Sequence, residues 1–448
     1  MTRQYIRIGA GAGFGGDRLD AAEVLVERGN IDYLVFECLA ERTLALYQQE
    51  KLKNPQAGYN PQLKRRLARV LPGCRERGIK IVSNLGGANP LGALQAVLEL
   101  ARELGLKGLK AAAVLGDDLQ AELMEWGGAV LETGEPVSAY AERMVSAHAY
   151  LGCGPLIEAL RQGAEVIVAG RVADPSLFLA PMVYEFGWRE DDYALLGRGT
   201  AVGHLLECAG QVTGGYFADP GYKDVPELWD LGFPVAEVYP DGRAVITKPS
   251  GTGGTVSLAA CKEQLLYEIH DPAAYFTPDC VADFSEVRME QLGPDRVLVE
   301  GGKGRERPTA LKVNIGYRHS FVGEGEISYG GPGAVERARL AAEVLRRRLA
   351  KLAPGLLELR FELIGVDSLH GEWIARGRGA PYEVRLRVAG RAASREEAQV
   401  VGEEVEALWT NGPAGGGGAR WTVREVIAVV SALVPREKVT PRVVIETA

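Results

Sequence analysis

The stretch Tyr5–Glu27, YIRIGAGAGFGGDRLDAAEVLVE, decides the fold class. Its opening, Tyr5–Gly9, is a short apolar run that predicts a strand. A glycine-rich turn follows, and Asp17–Glu27 predicts a helix. Working outward, the same alternation returns. Ile31–Glu37 (IDYLVFE) predicts a second strand and 40–51 a helix. Ile79–Asn84 predicts a third strand and Leu91–Leu104 a helix. Leu109–Leu115 (LKAAAVL) predicts a fourth strand, ending at Gly116-Asp117-Asp118. After a helix at Pro155–Gln162, Glu165–Ala169 (EVIVA) predicts another. Unbroken apolar strands separated by helices mark parallel strands buried on both faces. The expected class is therefore α/β, a mainly parallel sheet with flanking helices in residues 1–186, and an open sheet is favoured over a barrel.

Residues 187–330 read differently. They are rich in Gly and Pro, with short strands and few long helices outside 256–269. A middle lobe contributing to the site is expected there. Residues 331–448 predict a smaller two-layer α+β domain. Its elements are a helix over Gly333–Leu352, strands at Leu359–Val366 and Tyr382–Ala389, a helix over Ser394–Trp409, a last helix over Thr422–Leu433 and a strand at Arg442–Glu446.

The chain has 448 residues, 46% hydrophobic and 25% charged, which bounds it as folded and of more than one domain. A formal net charge of −8 argues against nucleic-acid or anionic-membrane binding, which need a basic field. Six scattered cysteines show no C-x-x-C spacing, so a zinc knuckle is not expected. No apolar run reaches the ~20 residues of a membrane helix. The opening MTRQYIRIG enters a strand at once, so a cytoplasmic location with free thiols is expected.

Five constellations carry candidate chemistry. In the first loop, Gly11, Gly13, Gly15 and Gly16 lie between strand and helix. Backbone N–H groups there would hold a phosphate or carboxylate. Glu37, closing the second strand, is where a dinucleotide fold places its acidic residue. A tight packing turn is the alternative. In the second, His204, Glu207 and Cys208, if helical, fall on one face at i, i+3 and i+4, an acid–base or nucleophile set. An ordinary buried polar face is the alternative. The third gathers residues at strand C-terminal ends, where open sheets bind ligands: Glu37, Asn84 with Gly86 and Gly87, Asp117 with Asp118, and Arg171 with Asp174. Arg171 is the candidate to hold a substrate carboxylate or phosphate, against a structural pair with Asp174. Asp117 and Asp118 are candidate Mg²⁺ ligands, or helix caps. The fourth is Lys248, Ser250, Gly251, Thr252 and Gly253, a second anion-binding loop or a surface loop. The fifth, Thr410–Gly418 (TNGPAGGGG), reads as a lid, an anion nest or a linker. His270, His319 and His370 stand alone and read as structural.

Seven segments together resemble the acyclic terpene utilisation (AtuA) family: IGAGAGFGGDR (8–18), SNLGGANP (83–90), AGRVADPSLFLAP (169–181), GHLLECAGQVTGG (203–215), KPSGTGGTVS (248–257), EQLLYEIHDP (263–272) and TNGPAGGGG (410–418). The resemblance runs through nearly the whole chain and keeps its order. It implies a role in the breakdown of acyclic terpenes and branched acids carried as coenzyme A thioesters. It also implies, in larger members, a C-terminal ferredoxin-fold extension that this sequence does not carry after Ala448. A separate small ferredoxin-fold subunit is therefore an expected partner, as is a homo-oligomer. The expected activity is a hydratase or dehydratase. A non-catalytic scaffold subunit and a nicotinamide-dependent enzyme are the alternatives.

Overall fold

The structure is a computed structural model that describes residues 4–375 and 379–448. The first three residues of the MTRQYIRIG opening lie outside the described residues. The chain divides into two compact units. The first comprises Met1–Gly316 with Val429–Ala448, and the second Tyr317–Ala428.

The first unit opens as its pattern predicts. In chain order it carries β1 (Ile6–Ala12), α1 (Asp20–Arg28), β2 (Tyr33–Phe36), α2 (Glu41–Lys53), α3 (Leu63–Arg77), β3 (Lys80–Ser83), α4 (Pro90–Glu103), β4 (Lys110–Leu115), α5 (Gln120–Trp126), β5 (Met144–Ala149), α6 (Gly154–Arg161), β6 (Val166–Ala169), α7 (Asp174–Phe186) and α8 (Tyr193–Glu207). There follow β7 (Val235–Val238), β8 (Ala244–Thr247), α9 (Leu258–Leu266), β9 (Tyr275–Phe276), β10 (Val281–Asp283), β11 (Arg288–Gly293), β12 (Arg296–Glu300) and β13 (Lys303–Arg305). β14 (Ala310–Gly330) leads into the second unit. That unit holds α10 (Ala334–Leu352), β15 (Glu358–Ile364), the short α11 (Glu372–Ala375), β16 (Glu383–Ala392) and α12 (Arg395–Asn411). β17 (Gly417–Pro435) leads back, and β18 (Arg442–Thr447) ends the chain.

One sheet of ten strands runs β11-β12-β8-β7-β1-β2-β3-β6-β4-β18. Its centre, β1-β2-β3-β6-β4, is parallel throughout. The remaining pairings, from β11 to β1 on one side and β18 on β4, are antiparallel. The sheet is thus mixed. Helices α1, α3 and α4 pack as one layer and α6, α7 and α8 as another, and both layers touch the sheet. This explains why β2 and β6 are buried along their whole length. Parallel strands order their carboxyl ends along one edge, so the turns after β1, β2, β3, β4 and β6 meet there.

Three expectations differ from the structure. Of the strands in the expected middle lobe, β7, β8, β11 and β12 extend the same sheet while β13, β10 and β9 form a small sheet of their own, and the compact units divide at Gly316 and Ala428 instead of 186 and 330. Within that region α8 is a full helix despite Gly197, Gly199 and Gly203. Glycine lowers helix propensity, but here it permits close approach: a Cβ on Gly197 would sit 2.0 Å from the Lys303 carbonyl oxygen. Packing against α7 and β13 overrides propensity. Finally, Thr422–Leu433 is strand, part of β17, and not helix. Its Val- and Ile-rich run fits either state by composition, and pairing in the second unit's sheet decides it.

That second unit has the order strand-helix-strand-strand-helix-strand, counting β14 and β17 and setting aside the one-turn α11. Its strands lie β15-β16-β14-β17. This is the ferredoxin-like split βαβ arrangement. Its core joins Ile327, Leu345, Leu349, Leu386, Val388, Val401 and Val405. The two-layer α+β domain expected toward the C-terminus thus has this topology. Ser394 caps α12, its Oγ accepting from Glu397 N at 3.2 Å. The glycine stretch 412–418 turns from α12 into β17, and Arg337 donates to the Ala414 carbonyl at 2.8 Å.

Candidate functional site

At the carboxyl edge of the parallel strands the first unit encloses a cavity of about 930 Å³. Its wall is built from Gly13, Gly15 and Gly16 after β1, Glu37 and Leu39 after β2, Asp174 at the start of α7, and Glu207 and Cys208 at the end of α8. Phe14, Tyr47, Tyr216, Leu228, Leu231, Phe233 and Tyr267 give it an apolar and aromatic share. Six carboxylates line it, Asp17, Glu37, Glu41, Asp174, Glu207 and Glu268, against one cation, Arg18.

Glu207 and His204 form a pair at i, i+3. His204 Nδ1 lies 2.7 Å from Glu207 Oε1. The imidazole is sealed from the cavity: it stacks on Phe284, ring centroids 5.5 Å apart, and tilts against Tyr275. Burial would lower its pKa, but the Glu207 carboxylate beside it outweighs burial and raises it. Neither His204 Nε2 nor Glu207 Oε2 has a hydrogen-bond partner among the described residues. Glu207 is the member that reaches the cavity, and His204 orients it from behind. Cys208 also lines the wall. Burial, then the Glu207 charge, push its thiol well up, so it is a thiol and not a thiolate at neutral pH.

Glu37 is held as its place after β2 requires. Its Oε1 accepts from Leu39 N at 2.8 Å and from Asn84 Nδ2 at 2.9 Å, and Asn84 Oδ1 accepts from Cys38 N. Burial nevertheless raises the Glu37 pKa. Asp174 lines the cavity and leaves 37% of its side chain exposed. Burial pushes its carboxyl well up, and the neighbouring Glu37, Glu207 and Glu41 add to that against the pull of Arg171. Glu41 shows the opposite outcome. Burial opposes ionisation, but the Tyr150 hydroxyl, with Arg171 and Lys312, lowers its pKa. Carboxyls whose proton affinities are driven in opposite directions thus share one chamber.

Arg171 does not reach that chamber. It is fully buried, donates to the carbonyls of Leu39 and Val172, pairs with Asp174 and packs over the Tyr150 ring. The expected substrate clamp is instead the cation that fixes Asp174 and the Leu39 turn. Asp117 accepts from the Arg171 N–H at 2.8 Å and faces His148 Nδ1 at 3.0 Å. Asp118 accepts from Gln120 N at the start of α5. Among the described residues no group of three or more His, Cys, Asp or Glu side chains is placed to hold a metal ion. The Asp117–His148 pair escaped the sequence because the two stand 31 residues apart.

The loop after β1 supplies its own anion. Asp17 Oδ2 accepts from Gly13 N at 2.9 Å and Oδ1 from Arg18 N. Beneath it the buried Arg66 donates to the Asp17 carbonyl. Gly13 is needed for close approach, since a Cβ there would meet the Cys208 carbonyl carbon at 2.5 Å. Gly11, Asn84, Gly86 and Gly87 lie outside the cavity wall, as do Lys248, Ser250, Gly251, Thr252 and Gly253. Lys248 Nζ closes on Thr252 O at 2.7 Å and pairs with Asp295 at 3.1 Å, so this loop ties itself into a turn, and α9 starts later, capped by Ser257. Glu41, Glu268, Tyr216 and Tyr267 were missed as wall residues. Four of the six non-glycine residues in left-handed backbone among the described ones, Ala209, Tyr216, Glu227 and Glu268, lie in or next to this wall. Strain of this kind concentrates at ligand sites.

The sheet and its acidic edge cavity define a mixed α/β protein. The chain belongs to the family described as acyclic terpene utilisation family protein AtuA, whose family model matches residues 6–445. It is thereby linked to terpene utilisation. A search of curated proteins returned no match. Among solved structures, the de novo designed protein Foldit4 matches at 13% identity with a TM-score of 0.18, covering 24% of this chain and 97% of that one. A likeness at that score carries no argument. No helix among the described residues is long and apolar enough to cross a membrane.

Proposed function

We propose that the chain is a hydro-lyase that adds water to, or removes it from, a branched unsaturated acyl group whose carbonyl is activated as a thioester. The observation that carries this reading is Glu207. One of its oxygens is tied to His204 and the other, buried, has no partner among the described residues, in a residue that lines a chamber where burial raises the proton affinity of Glu37 and Asp174. Carboxyl groups whose environments drive their proton affinities apart are the mark of an acid–base pair.

In the hydration direction, Glu207 Oε2 takes a proton from water as the water oxygen bonds to the β-carbon. The π electrons of the double bond move toward the carbonyl. Neutral Asp174 donates a hydrogen bond to the carbonyl oxygen as it gains charge. Neutral Glu37 then gives its proton to the α-carbon, and proton exchange with solvent resets both carboxyls. Dehydration is the reverse. The aromatic wall suits a branched apolar chain, and the acidic lining suits the acyl portion better than a carrier's phosphates.

The test is Glu207→Gln. Turnover of branched acyl thioesters is expected to fall ~100-fold or more, the usual contribution of a general base. Unchanged turnover in both Glu207→Gln and His204→Ala would end this assignment and favour a non-catalytic subunit.

A further inference from the structure

We infer that Arg18 is the anion anchor of the chamber, a specificity-determining residue that holds an oxyanion of the substrate away from the reacting carbonyl. This rests on the reading of the cavity as an acyl-binding chamber. The chemistry is shared by two sources, a distal carboxylate on the acyl chain and a phosphate on the carrier arm.

Among the described residues Arg18 is the single cation in a wall of six carboxylates. It is exposed and makes no ion pair among the described residues. Its Nη1 donates to two main-chain carbonyls, Trp229 O at 3.0 Å and Leu228 O at 3.4 Å, which hold the guanidinium in place. Its Nε and Nη2 have no acceptor among the described residues. Asp17, the nearest carboxylate in sequence, is turned to the backbone, its oxygens accepting from the N–H groups of Gly13 and Arg18. Arg66, the other cation of this loop, is buried and occupied with carbonyls. Arg171 is likewise spent on carbonyls and Asp174. Any anion entering this acidic chamber therefore has one positive group to meet. A guanidinium held by one nitrogen still presents a free N–H pair, the fork that fits carboxylate or phosphate. Phe14, Tyr216 and Leu228, exposed side chains of the same wall, flank the approach with apolar surface.

The experiment measures calorimetric binding of three probes to the full chain and to Arg18→Gln. The probes are senecioyl-pantetheine, which has no anion, senecioyl-coenzyme A, which adds the carrier phosphates, and methylglutaconyl-pantetheine, which adds a distal carboxylate. Arg18→Gln is expected to weaken one charged probe about tenfold, the size of a good exposed charge-assisted contact, and to leave the neutral probe unchanged. The affected probe identifies the source of the oxyanion. In turnover the loss should appear in KM with kcat retained. Arg18→Lys should recover part of the affinity, and matching thermal midpoints show that the loop stays folded. If Arg18→Gln binds both charged probes as tightly as the unaltered chain does, the anchor is refuted while the chamber stands. If the unaltered chain binds none of the three, the chamber reading falls and the anchor with it.

Discussion

His204 Nδ1 and Glu207 Oε1 meet at 2.7 Å, and the remaining nitrogen and oxygen of the two side chains have no partner among the described residues. Glu207 touches the chamber; His204 is sealed behind it against Phe284 and Tyr275. In the proposed reaction Glu207 acts and His204 orients it.

The pair carries a signature in pH. The folded-state pKa of His204 is raised by Glu207 against the effect of burial. A raised cationic group stabilises the fold fully below its free value of about 6.5, and that stability is lost as pH rises through the folded value. Urea denaturation at a series of pH values should show the gap between the unaltered chain and Glu207→Gln shrinking as pH rises. A gap constant with pH would contradict the ion pair.

Glu37 should trade stability for function. Its folded-state pKa is raised, so the fold favours the protonated form and loses stability as pH rises from the free carboxylate range toward the folded value. Glu37→Gln keeps an oxygen to accept from Leu39 N and Asn84 Nδ2. It should raise the thermal midpoint at neutral pH while lowering turnover. A lowered midpoint would mean that the carboxylate is needed for the fold.

Arg171→Ala should destabilise the chain by about 3–5 kcal/mol, because buried carbonyls left without their charged donor cost about 1–3 kcal/mol each. The carbonyls of Leu39 and Val172 and the Asp174 carboxyl would lose their donor together. Chemical denaturation measures it. A loss confined to substrate affinity, with stability intact, would return Arg171 to the role of clamp.

Cys208→Ala should keep turnover within about threefold, because the thiol is held protonated and a thiol is a weak nucleophile. Alkylation of Cys208 should be slow at neutral pH and speed up only in strong alkali. Rapid labelling at neutral pH, with loss of activity in Cys208→Ala, would restore the nucleophile.

The parallel centre of the sheet was legible because β2, β4 and β6 are continuous apolar runs between helices. β17 was not, since its Val-rich run has no periodicity that separates strand from helix. α8 was hidden by glycines whose value lies in contacts with β13 and α7 that the sequence does not express. The His204–Glu207 pair was readable from i, i+3 spacing, and Glu37 and Asp174 from their places after strands. Which way a strand-end side chain turns was not readable. Arg171 turned inward onto carbonyls, whereas Arg18, in the same loop as the noted glycines, turned toward the chamber. The wall residues Tyr216 and Glu268 depend on left-handed backbone that no residue type announces.

The most direct measurement is isotope incorporation. A branched unsaturated acyl thioester is incubated in ¹⁸O-labelled water with the unaltered chain and with Glu207→Gln, and label in the hydroxyacyl product is followed by mass spectrometry. The account predicts incorporation with the unaltered chain and a loss of ~100-fold or more in Glu207→Gln. Equal incorporation in both would contradict the role of Glu207 as the base.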